Sequence, residues 1–183
     1  MSSLFEPWNL ADGVVGFVWR SPFPKAQLLL QHGLGEYSER YVTQYSQLIP
    51  KLNALGIDVY AFDLPGHGRS EGTRGLIDLQ QAVSLHLKAR ELMASNKLPT
   101  VLYGHSLGGL ITAGSLVRSS ANVAAAVIGS SAMHQPSKGW ERLLGGVMGR
   151  LAPNAPIPLP RPGLEALSRD PEIVRIAEND PIP

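Results

Sequence analysis

The chain has 183 residues, 44% of them hydrophobic, which suffices for one sizeable core and does not call for two independent domains. Sixteen lysines and arginines balance fifteen aspartates and glutamates with no basic cluster, which argues against a nucleic-acid-binding stripe and a polybasic membrane patch. Without cysteine there are no disulfides, thiolate catalysis or cysteine-based metal sites, and the composition fits the reducing cytoplasm.

Met1 to Pro7 has neither a basic start nor an apolar run of signal-peptide length. Gly13 to Trp19, rich in β-branched and aromatic residues and closed by Ser21-Pro22-Phe23-Pro24, reads as an early strand. Ala26 to Gln31 is nearly continuous apolar sequence, as a strand covered on both faces requires, and ends at His32-Gly33-Leu34-Gly35. Tyr41, Tyr45, Leu48, Leu52 and Leu55 recur at helical steps up to Gly56, and Pro50 is expected to kink or split that helix. Ile57 to Phe62 reads as a strand ending at Asp63 and the loop Leu64-Pro65-Gly66-His67-Gly68-Arg69-Ser70. Leu76, Leu79, Val83, Leu87 and Leu92 form the expected apolar stripe of a second helix.

Thr100 to Tyr103 reads as a strand, Leu107 to Val117 as a helix and Ala124 to Ile128 as a further strand. This alternation predicts a mostly parallel sheet with helices on both faces and ligands bound outside the carboxyl ends of the strands. Val123 to Met133, the longest apolar stretch, is about half the roughly 20 residues needed to span a bilayer. Nine of the fifteen prolines fall from Pro136 onward, so residues 1–133 are read as the core and residues 134–183 as a proline-rich lid or insertion.

Gly104-His105-Ser106-Leu107-Gly108 places one serine between two glycines at a strand-to-helix turn. Such a turn is strained, projects the hydroxyl from the sheet and needs residues without bulk where strand and helix approach. Ser106 is therefore the candidate nucleophile. A serine hydroxyl is a weak nucleophile at neutral pH and needs a base, usually a histidine oriented by a carboxylate. The oxyanion formed on attack needs backbone donors, and the amides of Leu107 and Leu34 are the candidates.

Among the five histidines, His105 is expected to point away from the serine and to pack. His32 and His67 are expected to bond loop backbone, and His86 to be solvated. His134 is the only histidine after the serine, and taking it as the base leaves no room for the acid that precedes the histidine in hydrolase chain order. A competing reading is a dinucleotide-binding oxidoreductase, from Gly33-Leu34-Gly35 after a strand and Asp63 ending the next one. Ser38 stands where its third glycine belongs.

Three segments, His32-Gly33-Leu34-Gly35-Glu36-Tyr37-Ser38-Glu39-Arg40-Tyr41, Phe62 to Gly72 and Gly104 to Gly109, closely resemble the monoacylglycerol lipase and lysophospholipase branch of the α/β-hydrolases. Leu167-Ser168-Arg169-Asp170-Pro171 resembles part of that branch's cap. The resemblance implies a three-layer α/β-hydrolase fold, Ser106 as the acyl-accepting nucleophile, Leu34 and Leu107 as the oxyanion hole, and a lid beginning near Pro136 that shields an acyl chain. It implies a small lipid ester as substrate, with neither cofactor nor metal, and peripheral membrane contact, if any, through the lid. The triad acid and histidine would come after Pro183, since Asp170 and Asp180 lie in the cap-like part. The chain is accordingly expected to be a fragment, with its last core strands missing, the strand Ala124 to Ile128 left as an apolar edge, and no activity until it is completed. The alternative is a non-catalytic, hydrolase-like chain that binds acyl chains or a partner.

Overall fold

The computed structural model describes residues 5–131, 133 and 170–179. The chain divides into two compact units, Met1–Met133 and His134–Pro183. The first unit runs β1 (Glu6–Ala11), β2 (Val14–Trp19), β3 (Ala26–Gln31), α1 (Arg40–Thr43), a 3-10 turn (Tyr45–Gln47), α2 (Leu48–Ala54), β4 (Ile57–Phe62), α3 (Leu79–Ala94), β5 (Thr100–His105), α4 (Leu107–Arg118) and β6 (Ala125–Gly129). In the second unit the described element is a helix, α5 (Pro171–Glu178), whose N-cap Asp170 accepts the Glu172 N–H at 2.9 Å. His134 and the proline-rich run 153–162 lie outside the described residues.

The sheet order is β1-β2-β4-β3-β5-β6. β3 pairs in parallel with β4 on one side and β5 on the other, β5 pairs in parallel with β6, and β1 and β2 run antiparallel. The chain thus winds outward from β3 in both directions, which opens a crevice at the carboxyl ends of β3 and β5.

The continuous apolar runs follow from burial on both sheet faces. Leu29, Tyr60, Phe62 and Leu102 point into one cluster with Ala82, Val83, Ala89 and Met93 of α3 and Ile111 of α4. Their neighbours Leu28, Leu30, Val59 and Ala61 point into the other, with Tyr41 and Ile49 from α1 and α2. Alternate residues along one strand therefore build two cores, as the two-residue period of a strand dictates.

Several expectations are corrected. β1 was not anticipated: Pro7 and Asn9 interrupt its apolar pattern, and Pro7 is accommodated because β1 is an edge strand, joined to β2 through Asp12-Gly13 with Gly13 at φ +70. Pro50 breaks nothing, because it is the third residue of α2, where the backbone N–H has no intrahelical acceptor. The interruption lies earlier, at Tyr45, Ser46 and Gln47, all left-handed with φ of 45, 55 and 56.

α3 also presents a different face. Asp78 caps it through the N–H groups of Gln80 and Gln81, and its buried residues are Ala82, Val83, Leu85, His86, Ala89, Arg90 and Met93. Leu76, Leu79 and Leu92 of the expected stripe are about two-fifths exposed, at 41%, 40% and 41%. β6 pairs with β5 alone among the described residues, and its Val127 is half exposed.

Candidate active site

The sharpest local feature is Ser106, with φ 53 and ψ −118, joining β5 to α4. That conformation is costly for a residue with a Cβ and persists only where its surroundings enforce it. The enforcement is visible. The Ser106 N–H donates to the Gly129 carbonyl at 2.9 Å, anchoring the turn to the end of β6. A Cβ on Gly104 would collide with the Gly108 carbonyl, and one on Gly108 would collide with the Gln31 carbonyl and lie 2.6 Å from that of His32. Strand β5, helix α4 and the end of β3 meet backbone to backbone, and only glycine permits it.

Ser106 is half-buried and makes no side-chain cap bond to α4, of which Leu107 is the first residue. The amides of the first helical turn have no partner within their helix, and the helix dipole there favours negative charge. The turn after β3 lies against the serine: a Cβ on Gly33 would sit 3.3 Å from Ser106 Cβ. Leu34 follows, 60% exposed, then Gly35 at φ +68. The structure thus brings Ser106, Leu107 and the Gly33-Leu34 turn together at the carboxyl ends of β3 and β5.

Buried polar side chains hold these loops. His32 is fully buried: Nδ1–H donates to the Gly33 carbonyl at 2.8 Å, and Nε2 accepts the Leu64 N–H at 3.0 Å, which fixes one neutral tautomer. Burial, the largest cause, holds its pKa below the ordinary histidine value. Asp63 is also fully buried, accepting the Ser38 N–H at 2.8 Å and the Arg69 N–H at 2.9 Å, while its own carbonyl accepts the Ser70 hydroxyl at 2.7 Å. A carboxylate so occupied ties the β3 loop to the β4 loop and is not available to a ribose, which removes the physical basis of the dinucleotide reading.

His67 Nδ1 meets the Pro65 carbonyl at 3.2 Å, as a loop-bonding histidine should. His105 approaches Glu36, with Nδ1 3.8 Å from Oε2. His86 is the exception to expectation: it is fully buried, its Nε2 3.5 Å from Thr112 Oγ1, and burial followed by the charge of Arg90 lowers its pKa to about 3. None of these four described histidines hydrogen-bonds Ser106. Among the described residues no group of three or more His, Cys, Asp or Glu could hold a metal ion, and no helix is long and apolar enough to cross a membrane.

Glu36 was missed as a builder of the site. It accepts the Gly33 N–H at 3.1 Å and the Tyr41 hydroxyl at 3.2 Å, and it is also bonded by the Tyr45 hydroxyl. Its signal in the sequence is faint, an acidic residue in a glycine-rich turn after an apolar strand, where exposed backbone amides are the nearest donors.

Several known proteins resemble this chain. The family model Hydrolase_4, serine aminopeptidase S33, matches residues 22–182. The chain is similar to a monoacylglycerol lipase of Mycolicibacterium smegmatis, 33% identical over 164 residues that cover 87% of this chain and 56% of the relative. It is also similar to the human monoglyceride lipase, 40% identical over 91 residues covering 48% of this chain and 29% of the relative. Among solved structures, the Paleococcus ferrophilus monoacylglycerol lipase matches with a TM-score of 0.76 at 30% identity, over 97% of this chain and 63% of that one. A soluble variant of the Saccharomyces cerevisiae monoglyceride lipase matches in fold, with a TM-score of 0.74 at 18% identity over 98% of this chain and 62% of that one. The chain thus spans 56% of the length of the mycobacterial relative.

Proposed function

This chain belongs to the serine aminopeptidase S33 family of α/β-hydrolases, and on that premise we propose that it works as a serine carboxylic-ester hydrolase on lipid esters of the monoacylglycerol or lysophospholipid type. The observation that carries the reading is the strained Ser106 turn, φ 53, between two glycines that no larger residue could replace. In the proposed reaction Ser106 Oγ attacks the ester carbonyl as its proton passes to a histidine base. The tetrahedral oxyanion accepts hydrogen bonds from the amides of Leu34 and Leu107, and collapse expels the alcohol, leaving an acyl-enzyme that water hydrolyses. The base and its orienting acid are assigned to residues outside the described ones, since none of the described histidines hydrogen-bonds Ser106.

The monoacylglycerol lipases of M. smegmatis and P. ferrophilus support the lipid-ester class. The same reading takes residues 134–183 as a cap over the acyl chain, the part that would meet a membrane surface, and places the protein in the cytoplasm. The test is labelling with a fluorophosphonate probe. Covalent labelling that is lost in Ser106→Ala is expected once the histidine base and its acid are present; a folded protein that carries them and that the probe does not label would favour the acyl-chain-binding alternative.

A further inference from the structure

We propose that Glu36 is a positioning residue for the Ser106 site: its carboxylate, anchored by the Tyr41 and Tyr45 hydroxyls, binds the Gly33 amide and fixes the Gly33-Leu34 turn against the serine elbow. The catalytic meaning of that turn rests on the assignment of Leu34 as an oxyanion donor.

A Cβ on Gly33 would lie 3.3 Å from Glu36 Oε2 and 3.3 Å from Ser106 Cβ. The carboxylate therefore reaches the turn at the residue that touches the nucleophile. It is itself well enclosed, with its side chain 12% exposed, and it gathers donors from several directions: the Gly33 N–H at 3.1 Å, the Tyr41 hydroxyl at 3.2 Å and the Tyr45 hydroxyl. His105 Nδ1, at 3.8 Å, is buried with no hydrogen-bond partner and belongs to the residue just before the nucleophile. Glu36 thus stands between the β3 turn and the elbow, within reach of both.

The anchor is strained in a way that local sequence does not explain. Tyr45, Ser46 and Gln47 are consecutive left-handed residues, and none of them is glycine. The conformation is costly and is held in place by tertiary contacts. What the strain secures is the Tyr45 ring, stacked on Tyr41 at 4.5 Å and 6.0 Å from His105, with its hydroxyl on Glu36. The Glu36 interaction with Gly33 also takes that N–H out of competition, leaving the Leu34 N–H as the next donor of the turn.

The negative charge of Glu36 cannot be the point of the arrangement, because a carboxylate near a developing oxyanion opposes it. The useful property is the acceptor geometry, and that separates positioning from charge. Glutamine retains one acceptor oxygen and alanine none, so Glu36→Gln should rescue what Glu36→Ala loses.

The test is amide hydrogen exchange at Gly33, read by NMR in the wild-type protein and both variants, with thermal melting as a check on folding. Gly33 is expected to exchange about tenfold faster or more in Glu36→Ala, as loss of a charge-assisted hydrogen bond implies, while Glu36→Gln stays within about threefold of wild type. Where Glu36→Ala fails to fold, Tyr45→Phe removes one anchor and should shift Gly33 exchange in the same direction by a smaller factor. Ester turnover, in a form of the protein that carries the histidine base and its acid, supplies the second readout: kcat should fall about tenfold in Glu36→Ala with KM within about twofold, and return in Glu36→Gln. Unchanged Gly33 exchange in the variant that folds overturns the proposal whether or not the protein is active. Faster exchange with unchanged kcat overturns the positioning role while leaving Ser106 in place. An unlabelled wild type that carries the base and acid refutes the esterase assignment, and the exchange measurement still decides the Glu36 contact.

Discussion

Lowering the pH should destabilise the fold through one helical histidine. His86 lies fully buried in α3, its Nδ1 has no hydrogen-bond partner, and its Nε2 is 3.5 Å from Thr112 Oγ1. Burial first, and the nearby Arg90 charge second, lower its pKa from 6.5 to about 3. Between those two values the unfolded chain binds a proton that the folded one refuses, so stability falls as pH drops through 6.5 toward about 3. Integrated from about pH 7 to about pH 5, this one residue removes about 2 kcal/mol, a sizeable part of a typical domain's stability. The assay is urea unfolding at both pH values for wild type and His86→Gln, comparing the change with pH in each. His32 and His67 are also held below the ordinary histidine value by burial, so acid sensitivity persists in the variant but should be smaller by about 2 kcal/mol. Equal pH dependence in the two proteins would refute the claim that His86 is buried neutral.

Gly108→Ala should cost about 3 kcal/mol or abolish folding, because the new Cβ meets the backbone carbonyls of Gln31 and His32, which cannot rotate aside; thermal melting reads this. Gln47→Gly should stabilise by about 0.5–1 kcal/mol, since Gln47 is exposed, makes no cap bond through its side chain and holds φ 56, which glycine adopts without strain. A fall in the unfolding midpoint of Gln47→Gly would show that the left-handed run is not strained at that residue.

What the sequence revealed, and what it concealed, separates along physical lines. β3, β4 and the serine elbow were legible because short apolar runs ending in glycine-rich turns have few other solutions. The face of α3 was legible only in part: Val83 packs in the core and Leu87 against it, as the stripe predicts, but the rest of that surface is Ala82, Leu85, Ala89 and Met93, with Leu79 and Leu92 left partly outside. Small residues permit close approach, and hydrophobicity alone does not rank that property. The left-handed run at Tyr45, Ser46 and Gln47 was invisible because it contains neither glycine nor asparagine, the residues that signal such backbone.

The same distinction explains why the candidate nucleophile was found and its supports were not. Ser106 is marked locally: Gly104 and Gly108 stand at fixed distances along the chain because strand and helix must touch there. Asp63 and Glu36 are marked only by what folding brings to them. Asp63 takes an amide from Ser38, 25 residues earlier, and one from Arg69, six residues later. Glu36 takes hydroxyls from Tyr41 and from Tyr45, and Tyr45 reaches it only through a backbone conformation its own sequence disfavours. A reactive group is set by a short motif, whereas the rigidity of the loops around it is set by buried carboxylates whose partners no spacing rule lists. Loops pinned by such groups carry information about the site that is independent of the nucleophile, because each buried carboxylate must be satisfied by particular amides whether or not the chemistry proceeds.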